Sequence, residues 1–327
     1  MVKTISFLFL FVSPSFLFAS TDVEKTVGVE ECAECHEDEV FIWKNTRHYK
    51  TFNETARRAK GREIAKKMKI RNPTKSELCS QCHFTKTLHN GKPKAVSGVS
   101  CESCHGSAKE WFKIHSNYGD KDTKKSQETV EHKHKRIQQS LQAGMIKPQN
   151  IYALVNNCMQ CHLVPHEDLV NNSKHEAGSK FELVSWSQGR NRHNFMRSAG
   201  GSTNIESDQN RKRLLYVVGQ LVEMEHTLRA LSKATTSDKY SDALLQRAHD
   251  VEERVKTISV KINVDEIQQI LTQFQHAPKQ IKQSGGLLDS AENIQKLAQM
   301  VSMKYDATSW GNIDSLIPSE YKGFPAK

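Results

Sequence analysis

Every cysteine of this chain lies in one of four Cys-x-x-Cys-His motifs, and the chain has eight cysteines in all. This spacing attaches c-type haem, because two thiols separated by two residues reach the two vinyl groups of one porphyrin. The histidine that follows lies beside the iron and binds it as an axial ligand. The sequence therefore predicts four covalently attached haems, with attachment at Cys32, Cys35, Cys79, Cys82, Cys101, Cys104, Cys158 and Cys161 and iron ligands at His36, His83, His105 and His162.

Zinc binding and a disulfide framework explain the same cysteines less well. A zinc site does not require a histidine directly after each second cysteine. A disulfide framework does not impose four identical spacings. Haem attachment accounts for both features and leaves no cysteine over.

The second axial ligand of each iron decides between an electron carrier and a reaction site. A second strong ligand makes a carrier, whereas an empty position leaves room for a substrate. Few methionines are well placed to compete, so we expect bis-histidine ligation to dominate. The haem-bearing part supplies eight histidines outside the motifs: His48, His89, His115, His132, His134, His166, His175 and His193.

The first twenty residues have the composition of a secretory signal peptide. Lys3 gives a positive start, an apolar run extends over Ile5–Phe18, and Ala19-Ser20 supply the small residues of a cleavage site. The run is too short to span a membrane. Covalent haem attachment takes place outside the bacterial cytoplasm, so we expect a mature periplasmic protein without a transmembrane segment.

The residue pattern changes near residue 200 and predicts two domains after the signal peptide (1–20). Residues 21–200 hold all four motifs in short segments, which predicts a mainly α multihaem cytochrome domain with little regular strand. Residues 201–327 repeat apolar residues at helical spacing, which predicts a C-terminal bundle of antiparallel helices. The periodic stretches lie at 214–231, 243–258, 264–274 and 287–301, with N-caps expected at Asp208, Asp238, Asn263 and Asp289.

This C-terminal domain contains no catalytic constellation. Its three histidines, His226, His249 and His276, are isolated on polar faces and are expected at the surface. We expect the helices to pack against the haem domain or to form a homodimer.

The formal net charge of +10 first suggests nucleic acid or a membrane surface as partner. Haem propionates bring negative charge, so the basic residues fit propionate pairing and solvated surface better, and we expect no nucleic-acid binding. A lysine-rich stretch at 121–135 is expected to be an exposed loop or helix. Docking of an acidic partner is the alternative use of that stretch.

Two sequence elements resemble the tetrahaem cytochrome c-554 family, and the resemblance covers about residues 30–195. That family is similar in haem packing to hydroxylamine oxidoreductase and the multihaem nitrite reductases. The elements are Trp43-Lys44-Asn45-Thr46-Arg47-His48 and Gly98-Val99-Ser100-Cys101-Glu102-Ser103-Cys104-His105-Gly106, the second followed by His115.

The resemblance implies second ligands that cross from one motif to another. His48 would bind the iron of the third motif, His115 that of the first, and His193 that of the fourth. The second haem of the family is five-coordinate. This chain departs from the family by adding His166 and His175 after the fourth motif, and either residue could close that site.

These observations favour a periplasmic tetrahaem c-type cytochrome that transfers electrons through closely packed, mostly bis-histidine haems. Its expected redox partners are a quinol-oxidising membrane cytochrome or a periplasmic oxidoreductase. The alternative is a reductase that acts on a small nitrogen or sulfur oxide at an open iron beside His83. The far side of this second haem therefore separates the two functions.

Overall fold

The computed structural model describes residues 21–275 and 286–323. The predicted signal peptide and His276 lie outside the described residues. Within them the chain is mainly α, as the sequence predicts, and its strands form one two-stranded antiparallel sheet. None of the described helices is long and apolar enough to cross a membrane.

The part up to residue 200 is built from short helices. Helices of this length are marginal in water by themselves, so they depend on the groups they pack against. In chain order they are α1 (Val29–Ala33), α2 (Glu37–Lys44), α3 (Arg47–Glu54), α4 (Ala59–Lys67), α5 (Glu77–His83), α6 (Cys101–His105), α7 (Phe112–His115), α8 (Val130–Gln142), α9 (Ile151–His162), α10 (Glu167–Ser173) and α11 (Leu183–Gln188). Short 3-10 turns lie at Pro73–Lys75, Lys125–Gln127, Phe195–Arg197 and Ala199–Gly201.

A β-hairpin follows the second motif. Its strands, β1 (Thr85–His89) and β2 (Lys92–Ser97), pair antiparallel. Asn90 and Gly91 form the turn with φ angles of 51° and 71°, which is the backbone of a tight hairpin turn. The Asn-Gly pair is the sequence signal for this element, and the hairpin returns the chain to the start of the third motif.

Longer helices follow residue 200. They are α12 (Gln209–Leu231), α13 (Lys239–Ser259), α14 (Asp265–Gln275) and α15 (Leu287–Lys304), with a 3-10 turn at Gly311–Leu316. Asp208 and Asp238 cap α12 and α13 as predicted, each accepting a hydrogen bond from a backbone amide of the first turn. The predictions for the other two caps are wrong, because Asn263 lies two residues before the start of α14 and Gly286, not Asp289, precedes α15.

Helix α12 is the centre of the C-terminal part and is buried on nearly all sides by α9, α13 and α15. Its acidic residues Glu223 and Glu225 are 4% and 1% exposed. Buried charges are costly unless they are paired. Glu223 accepts hydrogen bonds from Arg247 and Arg254, and Glu225 accepts them from Arg229 and from a tyrosine hydroxyl of α9.

One apolar core runs across residue 200. Ile151, Val155 and Met159 of α9 are fully buried and belong to the same cluster as Val217 and Leu221 of α12. Burying one such side chain contributes about 1.5–3 kcal/mol. The helix that carries the fourth motif is therefore packed on the C-terminal helices. The division into two domains stays a prediction drawn from the sequence pattern.

Replacing Tyr152 of α9 by Phe tests this junction. The Tyr152 hydroxyl donates to Glu225 of α12 (2.8 Å), and burial raises the pKa of that carboxyl group. We expect Tyr152→Phe to lower the free energy of unfolding by about 1–3 kcal/mol, because a buried carboxylate loses a donor. Urea titration followed by circular dichroism measures the change.

Tyr321→Phe is the matched control. The hydroxyl group that it removes donates to Glu206 at an exposed site. We expect that variant to change the stability by less than about 0.5 kcal/mol. Equal losses of unfolding free energy in the two variants would mean that the buried Tyr152–Glu225 contact stabilises the protein no more than an exposed contact does.

Candidate haem-binding sites

Each motif lies on or beside a helical turn, and the turn places its three functional side chains on one face. Residues three and four positions apart on a helix are neighbours. Helix α5 holds Cys79, Cys82 and His83 in this way, and α6 and α9 hold the third and fourth motifs. In the first motif the amide of His36 donates to the carbonyl of Cys32 (3.0 Å), which forms the same kind of turn beyond α1.

Each motif histidine faces one other histidine across a gap. The ring centres are 6.3 or 6.5 Å apart in all four pairs. Two metal–imidazole bonds of about 2 Å, with about 1.1 Å from each nitrogen to its ring centre, span about 6.2 Å. The spacing therefore fits one iron ion between the two rings of each pair. The pairs are His36 with His115, His48 with His162, His83 with His175, and His105 with His193.

These pairs contain the eight histidines predicted as iron ligands, but two partners differ from those that the family resemblance implies. His115 faces the first motif as implied, and His175 faces the second motif. His48 faces the fourth motif instead of the third, and His193 faces the third instead of the fourth. The two implied pairings are exchanged in the structure.

The packing of α3 accounts for the position of His48. Thr51 Oγ1 lies within hydrogen-bond distance of the carbonyl oxygens of His48 (2.7 Å) and His83 (2.8 Å), so α3 rests against the second motif. A Cβ atom at Gly98 would lie 2.1 Å from the carbonyl oxygen of His48, so only glycine permits this approach. Helix α3 is thereby held against the segment that leads into the third motif, with its histidine ring facing His162 of the fourth.

Hydrogen bonds at Nδ1 orient most of these rings and leave Nε2 for a metal. A metal-binding histidine usually donates its second nitrogen to such an acceptor. His105 Nδ1 lies 2.9 Å from the carbonyl oxygen of Ile146, and His162 Nδ1 lies 2.7 Å from Ser179 Oγ. The other acceptors are the Glu39 carboxylate for His36 and the carbonyl oxygens of Phe112 for His115, Glu176 for His175 and Asn191 for His193. The buried Nδ1 of His83 has no hydrogen-bond partner among the described residues.

Burial favours the neutral form of most of these imidazoles, which is the form that binds metals. It lowers the pKa of His83 and of His162 to about 4. It also lowers the pKa of His48 and of His105. His36 differs, because its hydrogen bond to Glu39 raises its pKa.

The remaining histidines of the haem-bearing part do not face a motif histidine. His89 and His134 are exposed on β1 and α8. His132 pairs with the carboxylate of Glu128 (2.8 Å). His166, one of the two residues considered for the second haem, instead hydrogen-bonds the side chain of Gln81.

His226 does not lie at the surface, as the sequence led us to expect. Its Nε2 hydrogen-bonds Asn156 Oδ1 (2.9 Å) on the helix that carries the fourth motif, and burial lowers its pKa to about 3. The prediction was wrong because α12 is covered on its polar side as well as on its apolar side. His249 is exposed, as predicted.

Glu102, between the two cysteines of the third motif, is a buried structural residue that the motif alone does not predict. Its side chain accepts hydrogen bonds from the backbone amides of Val27 (3.0 Å), Gly28 (2.8 Å) and Ala108 (2.7 Å). Hydrogen bonds to a charged acceptor are among the stronger ones. They fasten the segment before the first motif to the third motif.

Contacts between the motifs follow the order first, third, fourth, second. Helix α1 of the first motif packs against α6 of the third, and Glu102 of α6 accepts hydrogen bonds from the backbone amides just before α1. Asn157 in the fourth motif's helix donates to the carbonyl of Cys104 (3.2 Å). The Cys161 thiol donates to the carbonyl of Gln81 (3.8 Å), which joins the fourth motif to the second.

Paired cysteines on helical turns and facing imidazoles at this spacing are the features of a c-type cytochrome. Residues 31–106, which include the first three motifs, match the family model described as cytochrome c554 and c-prime. Cytochrome c-554 of Nitrosomonas europaea is 26% identical over 166 residues, which cover 48% of this chain and 64% of that protein. No solved structure matches the chain.

Both comparisons support the cytochrome c-554 family, as the two sequence elements predict. Both matches are to cytochromes c, a class that carries covalently bound haem. The aligned region spans less than two thirds of the length of the Nitrosomonas protein.

The exchanged pairing of His48 and His193 can be tested with a marked fourth haem. Cys158→Ala leaves that haem with one thioether bond, which moves its α band to longer wavelength. In this background we expect His48→Ala to open the marked haem, so that carbon monoxide binds to the reduced protein and removes the shifted band.

His193→Ala in the same background is the matched control. It should open the third haem, so carbon monoxide should leave the shifted band in place. The opposite result, with His193→Ala removing the shifted band, would restore the pairing that the family resemblance implies.

Proposed function

We propose that this protein is a periplasmic tetrahaem cytochrome that transfers electrons through four bis-histidine haems. The single observation that carries the proposal is the set of four facing imidazole pairs, with ring centres 6.3 or 6.5 Å apart. One haem at each motif would supply reversible one-electron chemistry. The chain's own residues attach it, ligate it on both faces and limit its contact with water.

The proposal assigns one motif and one distant histidine to each haem. Attachment uses the two cysteines of the motif, and the distant ligands are His115, His193, His48 and His175 for the first, third, fourth and second motifs. Two strong axial ligands leave an iron no free position for a substrate. This favours electron transfer at every site.

The reductase alternative needs an open position beside His83. The ring of His175 lies 6.3 Å from the ring of His83 and occupies that side. Neighbouring ion pairs hold this segment, because Lys174 contacts Glu63 (3.6 Å) and Glu176 contacts Lys60 (2.6 Å). These contacts favour a second haem with a histidine on each side of its iron. They therefore favour electron transfer over substrate reduction.

The contacts between motifs support a single electron path that runs first, third, fourth, second. Each step joins two motifs that are in contact, such as the third motif's Glu102 with Gly28 beside the first motif, and the fourth motif's Cys161 with Gln81 of the second. Close contact of the attachment sites would bring the edges of bound haems together. An electron that enters at one end of the path would leave at the other.

The proposed location and partners rest on the predicted export of the chain. The signal-like residues 1–20 support a periplasmic protein. Its partners would be a quinol-oxidising membrane cytochrome or a periplasmic oxidoreductase. A homodimer through the C-terminal helices stays a prediction.

Removing the second haem's distal histidine separates the two functions. We expect the reduced wild-type protein to show little carbon monoxide binding, because every iron would have two histidine ligands. His175→Ala should open one of the four haems, so carbon monoxide should give a difference spectrum with the amplitude expected for one haem per chain. Optical titration of the reduced protein measures both.

His166→Ala is the control, because that ring contacts Gln81 instead of a motif histidine. This variant, when reduced, should not bind carbon monoxide. Carbon monoxide binding by the wild-type protein, unchanged in His175→Ala, would overturn the closed second haem and favour the reductase.

A further inference from the structure

The positive charge of this protein is concentrated in one short segment. Residues 57–75, called the basic segment below, contain nine lysines and arginines and one acidic residue, Glu63, so they carry +8 of the chain's net charge of +10. All nine cationic residues are exposed: Arg57, Arg58, Lys60, Arg62, Lys66, Lys67, Lys69, Arg71 and Lys75. The lysine-rich stretch at 121–135 has five cations and three acids, so its net charge is much smaller.

The basic segment is fastened to both sides of the second haem site. On the distal side, Glu63 pairs with Lys174 (3.6 Å) and Lys60 pairs with Glu176 (2.6 Å), and these two partners flank His175 in sequence. On the proximal side, the segment ends in the 3-10 turn Pro73–Lys75, which packs on α5 and its second motif. The charge therefore lies beside the last haem of the proposed path.

Much of this charge is not neutralised within the chain. Lys66, Lys69, Arg71 and Lys75 have no carboxylate within ion-pair distance among the residues that the structure describes. A cluster of like charges repels itself and creates a strong local field. Carboxylates on another molecule would relieve the repulsion, and the field would guide that molecule to this surface.

The basic segment lacks the features of a membrane-binding helix. Such a helix lays an exposed apolar face into the lipid. The large apolar residues here, Ile64, Met68 and Ile70, are partly covered by the protein, and none has an exposed side chain of the kind found at Met303 or Val260. The basic segment therefore presents positive charge without an exposed apolar side chain that could anchor it in lipid, and this fits a transient protein complex.

We propose that the basic segment is the docking surface for an acidic redox protein, which exchanges electrons through the haem of His83 and His175. This inference rests on the proposed electron-transfer function. One electron passes between that haem and the redox centre of the partner, so one is oxidised as the other is reduced, and no bond is broken. Charge attraction supplies the speed and the orientation of the encounter.

Stopped-flow reduction of the haem-loaded protein tests the proposal, with reduced flavodoxin, a small acidic one-electron flavoprotein, as the probe. The variant combines Lys66→Glu, Lys69→Glu and Arg71→Glu. We expect its second-order rate constant at low ionic strength to fall about tenfold, and its salt dependence to flatten. The control combines Lys124→Glu, Lys125→Glu and Lys133→Glu, which change the same number of charges in the other basic stretch, and it should stay within about twofold of the wild type.

Haem content and the low-spin spectrum are measured on every sample, so that a failure of the proposed function is seen separately from a failure of docking. If the triple variant does not load its haems, Lys66→Glu alone should still slow the reaction about twofold. Equal slowing by the control would overturn the docking site, because net charge alone would then explain the effect. The triple variant could instead keep the wild-type rate and lose a binding to phosphatidylglycerol vesicles that the wild-type protein shows. That result would assign the segment to a membrane surface.

Discussion

The structure depends on one geometric constraint, the separation of the two facing imidazoles at each motif. Ring centres 6.3 or 6.5 Å apart leave room for one metal ion and its two bonds. Each pair takes one histidine from a motif and one from a remote segment. Every haem would therefore join two parts of the chain, which explains how short helices that are marginal in water form one framework.

The C-terminal helices belong to this framework through the fourth motif. His162 contacts Ser179 through its Nδ1 atom (2.7 Å), and Arg247 of α13 donates to the carbonyl of Ser179 (2.9 Å). Arg247 is held in turn by the buried carboxylate of Glu223 (2.7 Å). A chain of polar contacts thus connects the fourth motif's imidazole to the centre of the helical bundle, and in metal sites such outer contacts orient a ligand and tune its metal.

Local chemistry could be predicted from the sequence, and long-range pairing could not. The motif spacing identifies the attachment sites and four of the facing histidines, and the family resemblance points to His48, His115 and His193 among the surplus histidines. The exchange of His48 and His193 follows from how α3 packs at Gly98, which is a tertiary contact that no local pattern records. The burial of His226 was missed for a similar reason, because α12 presents polar residues that pair inside the protein. The hairpin, by contrast, had a local signal in Asn90-Gly91.

The central claim is that all four motifs hold haem with a histidine on each side of the iron. Electron paramagnetic resonance of the fully oxidised protein, with the haem content measured on the same sample, tests it most directly. The account predicts four haems per chain and low-spin iron at each of them. A high-spin signal equivalent to one haem, or a haem content below four in a fully loaded sample, would contradict it.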